Sequence, residues 1–173
     1  MTRERVYLSI GSNVDPEYHV RHAVQELREA FGVLRLSPVY RNPAVGFDGD
    51  DFLNLVAGLD TRLPPLALAG LLRGVEVAHG RRRDGPKFAS RTLDIDILTY
   101  GDHILREGRL ILPRDEILRY AFVLRPLADV AGSERHPETG QRYDALWAEL
   151  RVAWGEPVME PTPLPLNGVA GDG

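Results

Sequence analysis

The spacing of apolar residues changes along this chain in an order that few folds accept. Arg5 to Ile10 has strand character and is followed by the turn residues Gly11, Ser12 and Asn13. Pro16 opens a helical stretch running to about Phe31, with Val20, Ala23, Val24, Leu27 and Phe31 on one face and Gly32 as the stop. Val33–Tyr40 is predicted as a second strand and Phe52–Leu59 as a third, joined by the loop AVGFDGDD. Leu63 to Ala78 follows a Pro64-Pro65 start as a second helix, with Leu68, Leu71, Leu72 and Val75 facing inward. RTLDIDILTY then alternates as a strand. Strand, helix, strand, strand, helix, strand is the split βαβ arrangement, an antiparallel sheet with helices packed on one face.

His103 to Leu112 adds a hairpin arm, and helical segments around Ala121–Val130 and Tyr143–Val152 complete the domain. After Trp154 the chain reads EPVMEPTPLPLNGVAGDG, whose proline density and lack of periodicity predict a mobile tail. The expected organisation is therefore one domain over 1–156 and a Pro/Gly-rich tail over 157–173. With 173 residues, 43% of them apolar, one core suffices. The net charge of −4 offers no basic field for nucleic acid or an anionic membrane. The absence of cysteine excludes disulfides, thiol nucleophiles and thiolate metal sites, and suits a reducing cytoplasm. The apolar run Val6–Ile10 is too short for a signal peptide or a membrane span, so a soluble, untargeted protein is expected.

The strongest chemical signal is in RTLDIDIL. Alternation along a strand puts Asp94 and Asp96 on one face and Leu93, Ile95 and Ile97 on the other. Two carboxylates so close repel unless a cation lies between them, and magnesium, completed by substrate phosphates, suits hard oxygen ligands. The alternative is a solvated face whose acids pair with arginines. Arg81, Arg82, Arg83, Lys87 and Arg91 lie within eleven positions just before that strand. Guanidinium groups grip phosphates through paired hydrogen bonds, and acids with flanking cations form the layout of phosphoryl transfer. Neither GxxxxGK[ST] nor GxGxxG after a strand occurs, and IGSN reads as a tight turn.

YLSIGSN, VYRNPAVG, DFLN, VEVAHGRRR, RTLDIDIL and YAFVLRPL stand in the order of the signature segments of the 6-hydroxymethyl-7,8-dihydropterin pyrophosphokinases, and the chain resembles that family from about Val6 to Val130. The resemblance implies an α+β ferredoxin-like sandwich that transfers pyrophosphate from ATP to the hydroxymethyl group of a reduced pterin, with two magnesium ions. It implies that Asp94 and Asp96 are the metal ligands and that Arg81 and Arg91 act in catalysis beside them. It also implies nucleotide contacts at Glu76, Arg81, Arg83, Phe88, Arg91, Ile97, Arg109 and Arg114. Pterin contacts are implied at Asn42, Pro43, Val45, Phe52, Asn54 and Phe122, with Phe52 and Phe122 sandwiching the ring and Asn54 bonding its edge. Arg81 to Arg91 would form a lid over ATP. A monomer or weak dimer acting on small molecules is expected, without nucleic acid or membrane.

The chain departs from the family near the nucleotide. Phe88 stands for a tryptophan, Ala89-Ser90 for Gly-Pro, Arg114 for a histidine, Tyr120 for a basic residue, and Pro43-Ala44 for a double proline. These motivate one rival, a paralogue that binds pterin or nucleotide without efficient turnover or acts on another pterin. A second rival is a ferredoxin-like nucleic-acid binder, disfavoured by the net acidity and the paired aspartates. His19, His22, His79, His103 and His136 show no shared metal spacing and are expected at the surface or as caps.

Overall fold

The computed structural model describes residues 2–45, 47–80, 92–155 and 157–166. Its elements are β1 (Glu4–Ser12), α1 (Pro16–Phe31), β2 (Arg35–Leu36), β3 (Tyr40–Asn42), β4 (Phe52–Thr61), α2 (Pro65–Ala78) and β5 (Asp94–Tyr100). There follow β6 (Leu105–Glu107), β7 (Leu110–Leu112), a 3-10 turn (Asp115–Leu118), α3 (Ala121–Ala131), α4 (Tyr143–Trp154) and β8 (Glu160–Pro161). The main sheet runs β5-β1-β4-β3-β8, with β2 also on β4, and every pairing in it is antiparallel. β6 and β7 form the separate hairpin arm. The α+β ferredoxin-like order is thus present.

The helices lie on two faces rather than one. Val6, Leu8 and Ile10 of β1 join Val20, Val24 and Leu27 of α1 and Leu68 and Leu72 of α2 in one core. The residues between them point the other way, and Tyr7, Val56 and Leu98 pack with Val123, Leu124 and Leu127 of α3 and Leu146 of α4 in a second. Strand alternation makes both possible, because β1, β4 and β5 have one apolar side and one mixed side. The mixed side is apolar only over half its length. α3 and α4 cover that half and leave Ser9, Gly11, Asn54, Asp94 and Asp96 open at the other end.

Four local expectations are corrected. Gly11 and Ser12 continue β1 instead of turning, and the bend falls on Asn13–Asp15. The predicted strand Val33–Tyr40 is broken into β2 and β3 at Ser37-Pro38-Val39. Pro38 has no N–H for a ladder, and Ser37 bonds Val56 both ways, its N–H donating to Val56 O and its Oγ accepting from Val56 N, each at 2.9 Å. The tail is docked from Pro157 to Leu166: β8 adds to the edge of β3, and Met159 and Leu166 are buried. Asn167 to Gly173 lie outside the described residues. Finally, His136 is buried instead of exposed, whereas His79 caps α2 as expected and meets His19 with Nδ1 to Nδ1 at 2.7 Å.

Candidate active site

A cavity of about 790 Å³ occupies the open end of the mixed sheet face. Its floor is ordered by the register of three strands. Gly11 of β1 stands opposite Asn54 of β4 on one side and opposite Asp94 of β5 on the other, while Ser9 stands opposite Asp96. Two inter-strand spacings therefore separate the amide from the carboxylate, roughly 10 Å. Gly11 is required here by close approach: a Cβ at this position would lie 2.5 Å from Asn54 Oδ1. The glycine read as a turn from sequence is the low point of the cleft floor.

The amide end is polar at its base and aromatic at its walls. Asn54 is 6% exposed, and its Nδ2 donates to Asn42 Oδ1 at 2.6 Å. Asn42 in turn donates to Pro43 O at 3.3 Å. This leaves Asn54 Oδ1 and the remaining amide hydrogens for a ligand with donors and acceptors along one edge. Pro43, Val45 and Phe52 line the same end, and Phe52 meets Phe47 edge to face at 6.3 Å. Phe122, at the start of α3, closes the opposite wall and stacks on Tyr120 with centroids 5.0 Å apart and planes inclined by 23°. Asn13, just past β1, donates from Nδ2 to Asp50 O at 3.1 Å and pins the loop that carries Phe47.

The acid end carries Asp94 and Asp96, side by side on the cleft face as alternation requires. Asp96 keeps 35% of its side-chain surface open to the cleft. Burial, and then the Asp94 carboxylate, push its pKa well above the usual carboxylate range, while Arg114 pulls it back. Arg114 is the nearest described cation, with Nη2 at 4.0 Å from Asp96 Oδ1 and 2.5 Å from Glu116 Oε2. Burial works against the guanidinium charge, but Asp96 and Glu116 outweigh it and its pKa is raised. Arg109 reaches the cleft from the β6–β7 turn. The hairpin arm also delivers Arg114, whose N–H donates to Leu98 O at 2.9 Å.

Ten of the sequence-derived site residues line this one cavity: Asn42, Pro43, Val45, Phe52, Asn54, Asp94, Asp96, Arg109, Arg114 and Phe122. Two do not. Glu76 is 1% exposed beneath β5, where Oε2 accepts the N–H of Ile95 at 2.8 Å. Among the described residues β5 is the sheet edge, so that N–H meets no further strand and the carboxylate takes its place. The side chain of Ile97 packs in the core between the sheet and α1 and α2. Arg81, Arg83, Phe88 and Arg91 lie outside the described residues. Sequence reasoning missed Phe47, Tyr120 as an aromatic and Gly11. Tyr120 is two positions from Phe122 in YAF, which is the one signal that could have found it.

The sheet order, the two-sided core and the cleft at the end of the sheet define a ferredoxin-like α+β domain whose cleft has an amide-and-aromatic end and an acidic end. The model of the family 7,8-dihydro-6-hydroxymethylpterin-pyrophosphokinase (HPPK) matches residues 7–132. A 2-amino-4-hydroxy-6-hydroxymethyldihydropteridine pyrophosphokinase of Pseudomonas aeruginosa is 39% identical over 139 residues, which cover 78% of this chain and 85% of that one. The Bacillus subtilis protein of the same name is 32% identical over 142 residues, covering 80% and 84%. In fold, the chain is similar to a Plasmodium falciparum HPPK-DHPS crystal structure, with a TM-score of 0.70 and 12% identity over 90% of this chain. The chain spans 43% of that longer protein. This chain belongs to the 7,8-dihydro-6-hydroxymethylpterin-pyrophosphokinase family.

Proposed function

We propose that this protein transfers pyrophosphate from ATP to the hydroxymethyl group of 6-hydroxymethyl-7,8-dihydropterin, giving AMP and the pterin diphosphate for folate synthesis. The observation that carries the reading is the register of the cleft floor. It sets the Asn54 amide and the Asp94 carboxylate on either side of Gly11, in one cavity. A pterin lying over Gly11, its edge on Asn54 and its ring between Phe52 and Phe122, would aim its hydroxymethyl arm at the acids.

In the transfer, the pterin hydroxyl oxygen bonds to the β-phosphorus. The bond from that phosphorus to the α–β bridging oxygen breaks, AMP leaves with the bridging oxygen, and the hydroxyl proton is released. Phe52 and Phe122 would hold the ring, each well-placed aromatic adding about 0.5–1.5 kcal/mol beyond burial. Asn54, with Asn42 behind it, would set the ring's rotation and so the direction of the arm. Arg109 and Arg114 would bind phosphate oxygens by charge-assisted hydrogen bonds. Asp94 and Asp96 would hold magnesium, two ions by the family pattern. Two neighbouring carboxylates on one strand face, beside open cleft space, suit a cation that shares its remaining positions with phosphates and water. When bound, magnesium neutralises phosphate charge and polarises the alcohol. No side chain has to act as a strong base. This is the reading of a cytoplasmic monomer or weak dimer acting on small molecules.

The rival without turnover rests on the departures from the family. Arg114 weakens it, because the guanidinium sits in the cleft against Asp96 and keeps a cation at that position. The test is AMP release from ATP and magnesium, with and without the hydroxymethyl-dihydropterin. Pterin-dependent AMP with a matching pterin diphosphate is expected. No pterin dependence would sink the reading.

A further inference from the structure

β3 is three residues long and is entered through the break at Ser37-Pro38-Val39, so β4 alone holds it weakly. Its outer edge is covered by the C-terminal segment. β8 pairs Tyr40 with Pro161 and Arg41 with Glu160, and the Thr162 N–H donates to Val39 O at 2.8 Å. The next residue along β3 is Asn42, which accepts the hydrogen bond from Asn54 at the amide end of the cleft. The same segment is tied to α3. Arg125 donates from Nη1 to Met159 O at 3.4 Å and lies 4.6 Å over the Tyr40 ring, while the Tyr40 hydroxyl donates to Asp129. Met159 is 8% exposed. The segment thus joins β3, which carries Asn42, to α3, which carries Phe122.

We propose that Met159–Thr162 is a strap that positions the pterin side of the cleft, with Met159 and Thr162 as positioning residues acting through Asn42. The proposal rests on the functional reading above. The strap lies beyond residues 7–132, the span of the family match. An edge strand that loses its outer partner frays at its ends, and Asn42 is the last residue of β3. Loss of the strap therefore acts on the Asn42–Asn54 pair before it acts on the acid end, which β5 and the hairpin arm hold independently.

The test uses full-length variants. Thr162→Pro removes the N–H that bonds Val39 O, and Met159→Ala removes the buried anchor. Thr162→Ala keeps the N–H. Leu166→Ala, at a residue buried against the other core near α1, is a control for general destabilisation. Thr162→Pro and Met159→Ala should each raise the Kd and KM for the pterin about fivefold, the worth of one neutral hydrogen bond. ATP affinity and kcat should stay within twofold, and amide exchange over residues 39–54 should speed up without ligand. Thr162→Ala should match the natural chain, and Leu166→Ala should lower the melting temperature with no change in pterin affinity. If the natural chain binds pterin and both strap variants bind it equally well, the strap role is wrong. A parallel loss of pterin and ATP, or an equal loss in Leu166→Ala, also overturns it. A natural chain that binds no pterin overturns the functional reading itself, and the pterin role of the strap with it.

Discussion

Gly11→Ala is the smallest change that should separate the two ends of the cleft. The added methyl carbon would lie 2.5 Å from Asn54 Oδ1 and 3.5 Å from its Cγ. Real Cβ contacts essentially never come under 3.0 Å, so the Asn54 side chain has to move. It is 6% exposed and anchored to Asn42 Oδ1 at 2.6 Å, so there is little room to swing without breaking that bond. A buried amide left short of a partner costs about 1–3 kcal/mol. The domain should lose stability in that range. The same displacement removes the group that meets the pterin edge, and with about 1.4 kcal/mol per tenfold, pterin affinity should fall roughly tenfold or more. ATP affinity should change less than twofold, because Arg109, Arg114, Asp94 and Asp96 are untouched. Gly58→Ala is the matched control on the same face. Its Cβ would lie 2.7 Å from Tyr7 Cε1 in the α3–α4 core, so stability should drop while pterin affinity holds. Urea unfolding gives the first quantity, and titration with each ligand gives the second. Pterin affinity within twofold of the natural chain would refute the placement of the ring over Gly11.

Three further outcomes are expected. Asp94→Asn and Asp96→Asn should each slow AMP release on the order of a hundredfold or more while the domain stays folded; near-normal turnover in either would remove the metal assignment. Arg114→Ala should weaken ATP binding about tenfold, and the natural chain should show no pH inflection traceable to this position; a much more active Arg114→His variant would show that the family histidine's proton matters. Burial lowers the pKa of His136, and its Nδ1 accepts the N–H groups of Glu138 at 3.1 Å and Thr139 at 3.2 Å, bonds that need the ring neutral. The unfolded chain therefore binds this proton first as pH falls, so the stability is present above the ordinary imidazole range and lost below it. His19 shifts the same way, so the measure is a difference: the urea midpoint should fall less between pH 7 and pH 5 in His136→Asn than in the natural chain, and parallel curves would exclude the role.

Local rules reached much of this molecule. The helix from Pro16 to Phe31 and the strand face shared by Asp94 and Asp96 follow from side-chain periods of 3.6 and 2, which each residue obeys without knowing its neighbours in space. The paired carboxylates followed from that alternation, whereas Phe52 and Phe122 came to notice only through the family resemblance. What needed the folded chain depends on contacts far apart in sequence. Gly11 looks like any turn glycine until the register sets it opposite Asn54. That Glu76 lies buried beneath β5 with its carboxylate accepting the Ile95 N–H shows only once helix and strand are packed together. Residues 157–166 look like a free tail because no apolar period runs through them, yet the edge of β3 supplies hydrogen bonds, and Met159 beside α3 and Leu166 on the α1 side of the core find buried sites. Periodicity reports which side of an element is apolar. Only the assembled sheet decides what each side, and each edge, is left to meet.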